Sequence, residues 1–336
     1  MDRFYKLLQM NRLVHSHRLK FAGLLAMHYL RQRYLCLRFD PVMSCNLRCQ
    51  MCYFSAPDFV KEHTGRFSWE QVERLAEVFF PWTLQLYIGC GTEPTTYKRF
   101  LDIHSLARKH RVPMVGMVSN GQLLTAEHVE RLVDERLDEL TLSTHGVTRE
   151  TYERLMTRAS FDKFLHLLET LDSIKRRKGL SAPQLRMNYT VNPANLDELS
   201  SFFDTYGKVN IRTLQVRPII DFGTQQYREK LDSYQSRYKG ILTQLRKECE
   251  RRQIRLLANF DDFLYSKRTT QAALHDEITV YIDPETISKA GFDYQHESYL
   301  AYCKRTGWSK SIARKMVLSP RRLEAQSTHL SYNVFG

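Results

Sequence analysis

Leu35-Cys36-Leu37-Arg38-Phe39-Asp40-Pro41-Val42-Met43-Ser44-Cys45-Asn46-Leu47-Arg48-Cys49-Gln50-Met51-Cys52 is the stretch on which the fold turns. Its first six residues are a short apolar run of β type. Three cysteines follow at spacings of four and three. Thiolates carried this close together on one loop can converge on a single metal centre. No fourth cysteine lies in the loop, so a cubane held there keeps one iron without a protein thiolate and leaves a position for a ligand. A structural zinc site is the competing reading, and it needs a fourth donor such as Cys36, Cys90 or a histidine. A disulfide with a spare thiol ranks lower, because seven cysteines, an odd number and mostly scattered, suit a reducing compartment.

Outward from this stretch the chain alternates short β-type runs with helical patterns. After Leu35 to Asp40 come Leu84 to Ile88, Pro113 to Val118, Leu140 to Ser143, Leu185 to Val191 and Arg212 to Arg217. Between them, Ser68-Trp-Glu-Gln71 reads as a capping box ahead of Val72, Leu75 and Phe79. Asn195-Leu-Asp-Glu198 reads as a repeat of that device, and Thr125 as the cap of a helix bearing Val129, Leu132 and Val133. Strand–helix alternation predicts parallel βαβ units, and six of them suit an open, partial (β/α)6 TIM-like barrel in an α/β protein. The expected division is a basic helical segment over 1–34, the barrel over 35–220 and an α+β extension over 221–336. The extension contains a polar helical stretch from Gln225 to Gln253, a strand from Ile278 to Ile282 and a basic tail expected to flank the barrel mouth.

In a parallel barrel the chemistry sits at the C-terminal ends of the strands. After the second strand stands Gly89-Cys-Gly-Thr-Glu-Pro94, after the third Ser119-Asn120-Gly121, and after the fourth Ser143-Thr144-His145-Gly146. Asn188, Asn192 and Arg217 are polar groups near the ends of the last two strands. Taken singly, each is ordinary turn or loop chemistry. Taken in order, Cys-x-x-x-Cys-x-x-Cys, Gly91-Thr92-Glu93-Pro94 and Ser119-Asn120-Gly121 resemble the core of the radical S-adenosylmethionine (SAM) enzymes over roughly residues 35 to 218. Thr92 replaces the second glycine of the family's Gly-Gly-Glu-Pro motif.

That resemblance implies a [4Fe–4S] cluster on Cys45, Cys49 and Cys52, with SAM chelating the open iron. It implies that Gly91, Thr92, Glu93 and Pro94 bind the methionyl amine. It extends a cofactor role to Ser119, Asn120, Ser143 and Thr144, and to Asn188 and Arg217 on the barrel lumen. The implied activity is reductive cleavage of SAM to a 5′-deoxyadenosyl radical that abstracts hydrogen from a substrate, fed by an electron donor of flavodoxin or ferredoxin type. The cysteine-rich extension of the SPASM and twitch branches is missing: beyond residue 218 only Cys249 and Cys303 remain. Cys303 or Tyr302 could donate hydrogen to a product radical, although packing is the commoner use of such residues.

A net charge of +13 favours an anionic partner: nucleic acid, an acidic membrane surface or a phosphorylated substrate. The excess lies at the ends. Arg3, Lys6, Arg12, Arg18, Lys20, Arg31 and Arg33 face one acid, Asp2, among apolar residues that include Phe4, Leu7, Leu8 and Leu13. Lys304, Arg305, Lys310, Arg314, Lys315, Arg321 and Arg322 crowd the other end. Such a segment can lie on an anionic membrane or pack on the barrel with its charges in water. The run Phe21 to Met27 is too short to span a bilayer, and no cleavage pattern marks a signal peptide. The expected setting is cytoplasmic, with peripheral contact to the inner membrane face, and the expected substrate is anionic or membrane-associated. RNA ranks lower for want of an aromatic stacking platform. The alternative from another class is a zinc-binding, basic nucleic-acid-binding protein without catalysis, which leaves Gly91-Thr-Glu-Pro94 and the strand alternation unexplained.

Overall fold

The computed structural model describes residues 14–219, 223, 231–258 and 270–327. Arg3, Phe4, Lys6, Leu7, Leu8, Arg12 and Leu13, read above as part of a basic helix, lie outside the described residues, as does much of the stretch after Gln225.

In chain order the elements are α1 (His17–Tyr29), β1 (Leu35–Phe39), α2 (Pro57–Glu62), α3 (Trp69–Phe79), β2 (Thr83–Ile88), α4 (Phe100–Lys109), β3 (Met114–Ser119), α5 (Ala126–Asp134) and β4 (Glu139–Thr144). They continue with α6 (Arg149–Leu155), α7 (Phe161–Lys178), β5 (Gln184–Val191), α8 (Phe202–Tyr206), β6 (Ile211–Pro218), α9 (Gln235–Arg251), β7 (Arg255–Leu257), α10 (Thr270–Ile278), β8 (Thr279–Ile282), α11 (Tyr299–Arg305), α12 (Trp308–Val317) and α13 (Pro320–Ala325). The strands form one open sheet in the order β7-β6-β5-β4-β3-β2-β1-β8. Every pairing is parallel.

Six strands were expected in the barrel, and all six are present within a residue or two of their predicted bounds. Among the described residues the sheet has eight. β7 is three residues long, too short to leave a periodic pattern. The strand expected near Ile278 pairs with β1, Phe39 opposite Ile282, so the C-terminal extension contributes an edge to the barrel sheet itself. A pairing of that sequence separation has no local signature.

Alternation along the strands divides the sheet into two chemistries. Leu37 and Phe39, Leu86 and Ile88, Val115 and Met117, Leu140 and Leu142, and Leu214 and Val216 are buried in the main core. The residues between them face the concave side and are mostly polar. There Arg186 ion-pairs with Glu139 at 3.5 Å and donates to Asn188 Oδ1 at 3.3 Å and to Gln215. Tyr87 Oη donates to Glu139 Oε1 at 2.6 Å. A Cβ at Gly116 would sit 2.4 Å from the Tyr87 ring, so a glycine there lets that ring cross the lumen.

Two predicted caps are present. Ser68 and Gln71 form a reciprocal box at α3, and Thr125 does the same at α5 with His128 in the third position. Asn195 caps no helix. Its side chain accepts from Asn192 N and donates to the carbonyls of His145 and Thr190, tying the loops after β4 and β5 together. Among the described residues no helix is long and apolar enough to cross a membrane.

Candidate functional site

The three cysteines lie on the loop leaving β1, and the loop is pinned from both sides. Arg48 N donates to Thr157 O and Gln50 N to Leu155 O, which fastens the middle of the loop to the end of α6. Arg48 Nη1 donates to the carbonyls of Cys45 and Leu47 at 2.8 and 2.7 Å, and Cys52 N closes on Cys49 O at 2.9 Å. All three thiols are free and half-buried. Burial raises each of them above the ordinary thiol value, Cys45 to about 12. A metal centre reverses that preference, because its positive charge favours the thiolate. Among the described residues no three His, Cys, Asp or Glu side chains close on a single ion. A mononuclear zinc needs all its sulfurs about 2.3 Å from one point, whereas an iron–sulfur cluster takes each thiolate on a different iron. Three free thiols on one pinned loop are a donor set that such a cluster could use.

The glycine-containing loop after β2 is held by a residue the sequence reading passed over. Asp40, at the C-terminal end of β1, is fully buried. Its carboxylate accepts from Cys90 N at 2.7 Å, from Gly91 N at 2.8 Å and from Tyr281 Oη at 2.5 Å. Tyr53, next to Cys52, donates to Gly91 O. A Cβ on Gly91 would stand 2.8 Å from both tyrosine oxygens and 3.0 Å from Asp40 Oδ2, which explains the glycine. Burial raises the Asp40 carboxyl above the usual carboxylate range despite these donors. The available signal was its position as a lone acid ending an apolar strand.

Glu93 gathers the next loop. Its carboxylate is buried, accepting from Ser119 Oγ and Asn120 N at 2.8 Å each and from Thr95 N and Oγ1 at 3.2 and 2.6 Å. Burial raises its pKa above the ordinary value. Asn120 continues outward, its amide donating to Asn46 Oδ1 at 2.8 Å and to Cys45 Sγ at 3.8 Å. Glu93 N donates to Ser44 O, beside the first cysteine. Cys45, Glu93 and the Ser119–Asn120 pair, expected on three separate loops, are therefore brought together, with Pro94 buried behind Glu93.

Ser143 and Asn188 stand opposite each other in register on the concave face, with Gln215 opposite Asn188 and Arg217 one step further along the same face of β6. Thr144 points the other way: its hydroxyl meets Gly146 O at 3.1 Å and the Tyr206 hydroxyl at 3.0 Å in the helix layer. His145 Nδ1 accepts from Thr190 N at 3.3 Å, and burial, followed by Arg217, lowers its pKa to about 4. Asn192 reaches back to Met51 in the cysteine loop. Tyr302 and Cys303 are buried on α11, where Tyr302 packs against Phe292, in the helical layer rather than on the concave face.

Residues 41–182 match the Radical SAM superfamily. A probable GTP 3′,8-cyclase of Saccharolobus solfataricus is 23% identical over 186 residues, covering 54% of this chain and 57% of that one. The mycofactocin maturase MftC of Mycolicibacterium smegmatis is 26% identical over 189 residues, covering 55% and 45%. The chain thus spans about half the length of these curated relatives. Among solved structures, Streptococcus suis SuiB bound to S-adenosylmethionine aligns with a TM-score of 0.59 at 16% identity, over 74% of this chain and 58% of that one. Native anSMEcpe with bound AdoMet aligns at 0.60 and 14% identity, over 85% and 84%. The structural likenesses speak to the fold, a partial parallel barrel.

Proposed function

From the match of residues 41–182 to the Radical SAM superfamily, we propose that the chain is a radical SAM enzyme in which Cys45, Cys49 and Cys52 hold a [4Fe–4S] cluster whose open iron takes SAM. The reduced cluster and SAM, when bound, supply reductive cleavage of the sulfonium C–S bond, giving methionine and a 5′-deoxyadenosyl radical that removes hydrogen from a substrate C–H bond. Asn120 carries this reading: one residue contacts Cys45 Sγ with its side chain and Glu93 with its backbone. A cluster-bound ligand in that position meets the glycine loop at once.

Glu93 supplies negative charge for an ammonium group, and its donors fix the carboxylate so that no reorganisation is needed on binding. Asp40 holds the Cys90 and Gly91 amides, Tyr53 the Gly91 carbonyl and Ser44 the Glu93 amide, which together fix the path of the Gly91–Pro94 loop beside the ligand. Ser143, Asn188 and Arg217 line the concave face for carboxylate or ribose contacts. Thr144, with its hydroxyl committed to Gly146 and Tyr206, acts only by shaping the turn. The polar wall around Arg186 and Glu139 suits a polar, anionic substrate, and the basic termini suit one met at a membrane. On this reading the protein works in the cytoplasm, peripheral to the inner membrane face, and receives electrons from a flavodoxin or ferredoxin.

Anaerobic purification and cluster reconstitution, followed by dithionite and SAM, test the proposal by mass spectrometry of 5′-deoxyadenosine. A brown protein that forms it, with a colourless and inactive Cys49→Ala variant, is the expected result. A colourless wild-type protein carrying zinc and forming none would overturn it in favour of a binding protein.

A further inference from the structure

The two basic ends of the chain, nearly three hundred residues apart, are folded into one surface. α1 and α12 pack side by side. His17 Nε2 meets Leu318 O at 3.1 Å, and the rings of His28 and Trp308 lie 4.7 Å apart, so the helices run antiparallel. Phe21, Leu24 and His28 of α1 and Trp308 and Ile312 of α12 are buried between the pair and the barrel.

What faces outward is unusual. On α1 the exposed line Leu19-Gly23-Ala26-Leu30, spaced for one helical face, carries no polar side chain. On α12 the exposed line is Lys310, Ala313, Arg314 and Val317. Leu19, Tyr29, Leu30 and Val317 are 66–75% exposed. Of the large apolar side chains exposed among the described residues, only Leu123 lies away from these ends. The charge is as one-sided: residues 14–34 contain four bases and no acid, and residues 299–327 contain seven bases and one acid, Glu324. Arg18, Arg31, Lys310, Arg314, Arg321 and Arg322 are exposed without an ion-pair partner among the described residues.

We propose that the antiparallel α1–α12 pair, with α13, is the docking surface by which the protein sits on an anionic lipid bilayer. This rests on the peripheral-membrane reading above and specifies the surface that makes the contact. Charge alone would serve a nucleic acid equally well. Exposed Leu19, Tyr29, Leu30 and Val317 beside the bases would gain nothing from a phosphate backbone, whereas a bilayer accepts side chains of both kinds, apolar ones at the acyl boundary and bases at the headgroups.

Co-sedimentation of the full chain with phosphatidylglycerol–phosphatidylcholine vesicles, compared with pure phosphatidylcholine vesicles, tests the surface. The expected result is retention on the anionic vesicles that declines with added salt. Lys310→Gln/Arg314→Gln should lose about twenty-five-fold in partitioning, about fivefold for each base removed. Leu19→Ser/Leu30→Ser, whose sites are solvent-exposed, should weaken retention with an unchanged circular dichroism spectrum. Failure of the wild type to sediment with anionic vesicles at low salt overturns the proposal. So does salt-sensitive binding of a single-stranded RNA oligomer that Leu19→Ser/Leu30→Ser leaves intact and that excludes vesicles. Formation of 5′-deoxyadenosine by the same preparations, measured without vesicles, separates the two readings. Vesicle binding without that product leaves the surface standing and removes the chemistry, and product without vesicle binding does the reverse.

Discussion

Tyr281 donates to the buried carboxylate of Asp40 across 2.5 Å, joining the strand at one edge of the sheet to the glycine-containing loop after β2. The same carboxylate holds two consecutive amides of that loop. Asp40→Asn keeps one acceptor oxygen where two are in use, and leaves a buried N–H without its partner at a cost of about 1–3 kcal/mol. SAM affinity should fall by about tenfold or more, measured anaerobically by equilibrium dialysis. Tyr281→Phe, which removes one of three donors, should have a smaller effect in the same direction.

Glu93→Ala should retain iron and colour yet bind SAM about tenfold to a hundredfold more weakly, because Asn120 N and Ser119 lose a buried charged acceptor. Iron content and dialysis on one preparation check both halves. Undiminished SAM affinity would remove the role assigned to Glu93.

Gly89 has φ +83°, and a Cβ there would stand 2.5 Å from Pro94 and from the backbone oxygen of Val118. Neither neighbour can yield, so Gly89→Ala should displace the Gly91–Pro94 loop. Lowered SAM binding and a lower thermal midpoint should appear together, with a strain cost on the order of 1–3 kcal/mol.

His145 is neutral at pH 7, held at a pKa of about 4 by burial and Arg217, with Nδ1 accepting the Thr190 amide. Its folded value lies below the ordinary 6.5, so the unfolded chain takes up the proton first on acidification. The stability it contributes is complete above pH 6.5 and is lost as the pH falls toward 4. Urea midpoints between pH 7 and 4.5 should decline less steeply in His145→Asn than in the wild type.

Arg186 and Glu139 form a buried ion pair inside the barrel, both nearly inaccessible. Arg186→Met leaves the carboxylate of Glu139 buried without its cation, which should cost about 3–5 kcal/mol in urea unfolding. A loss below 1 kcal/mol would mean that Tyr87 and Thr141 satisfy Glu139 by themselves.

The sequence by itself determined the local devices: six strands of the core, the capping box at Ser68, the cap at Thr125, the cysteine loop, and the loops after β2, β3 and β4. Each is written in neighbouring residues, because strand alternation, caps and ligand spacing act over a few positions. Asn195 misled for the same reason, since its capping pattern is local while its actual partners, His145 and Thr190, belong to packed loops. Tertiary structure alone decided what no local pattern encodes. It paired β8 with β1, placed Tyr281 on Asp40, brought Glu93 within one residue of Cys45, turned Thr144 away from Ser143 and laid the two basic ends against each other. Such contacts are selected by burial and by satisfying buried polar groups across the whole fold, so they emerge only when the chain has closed on itself.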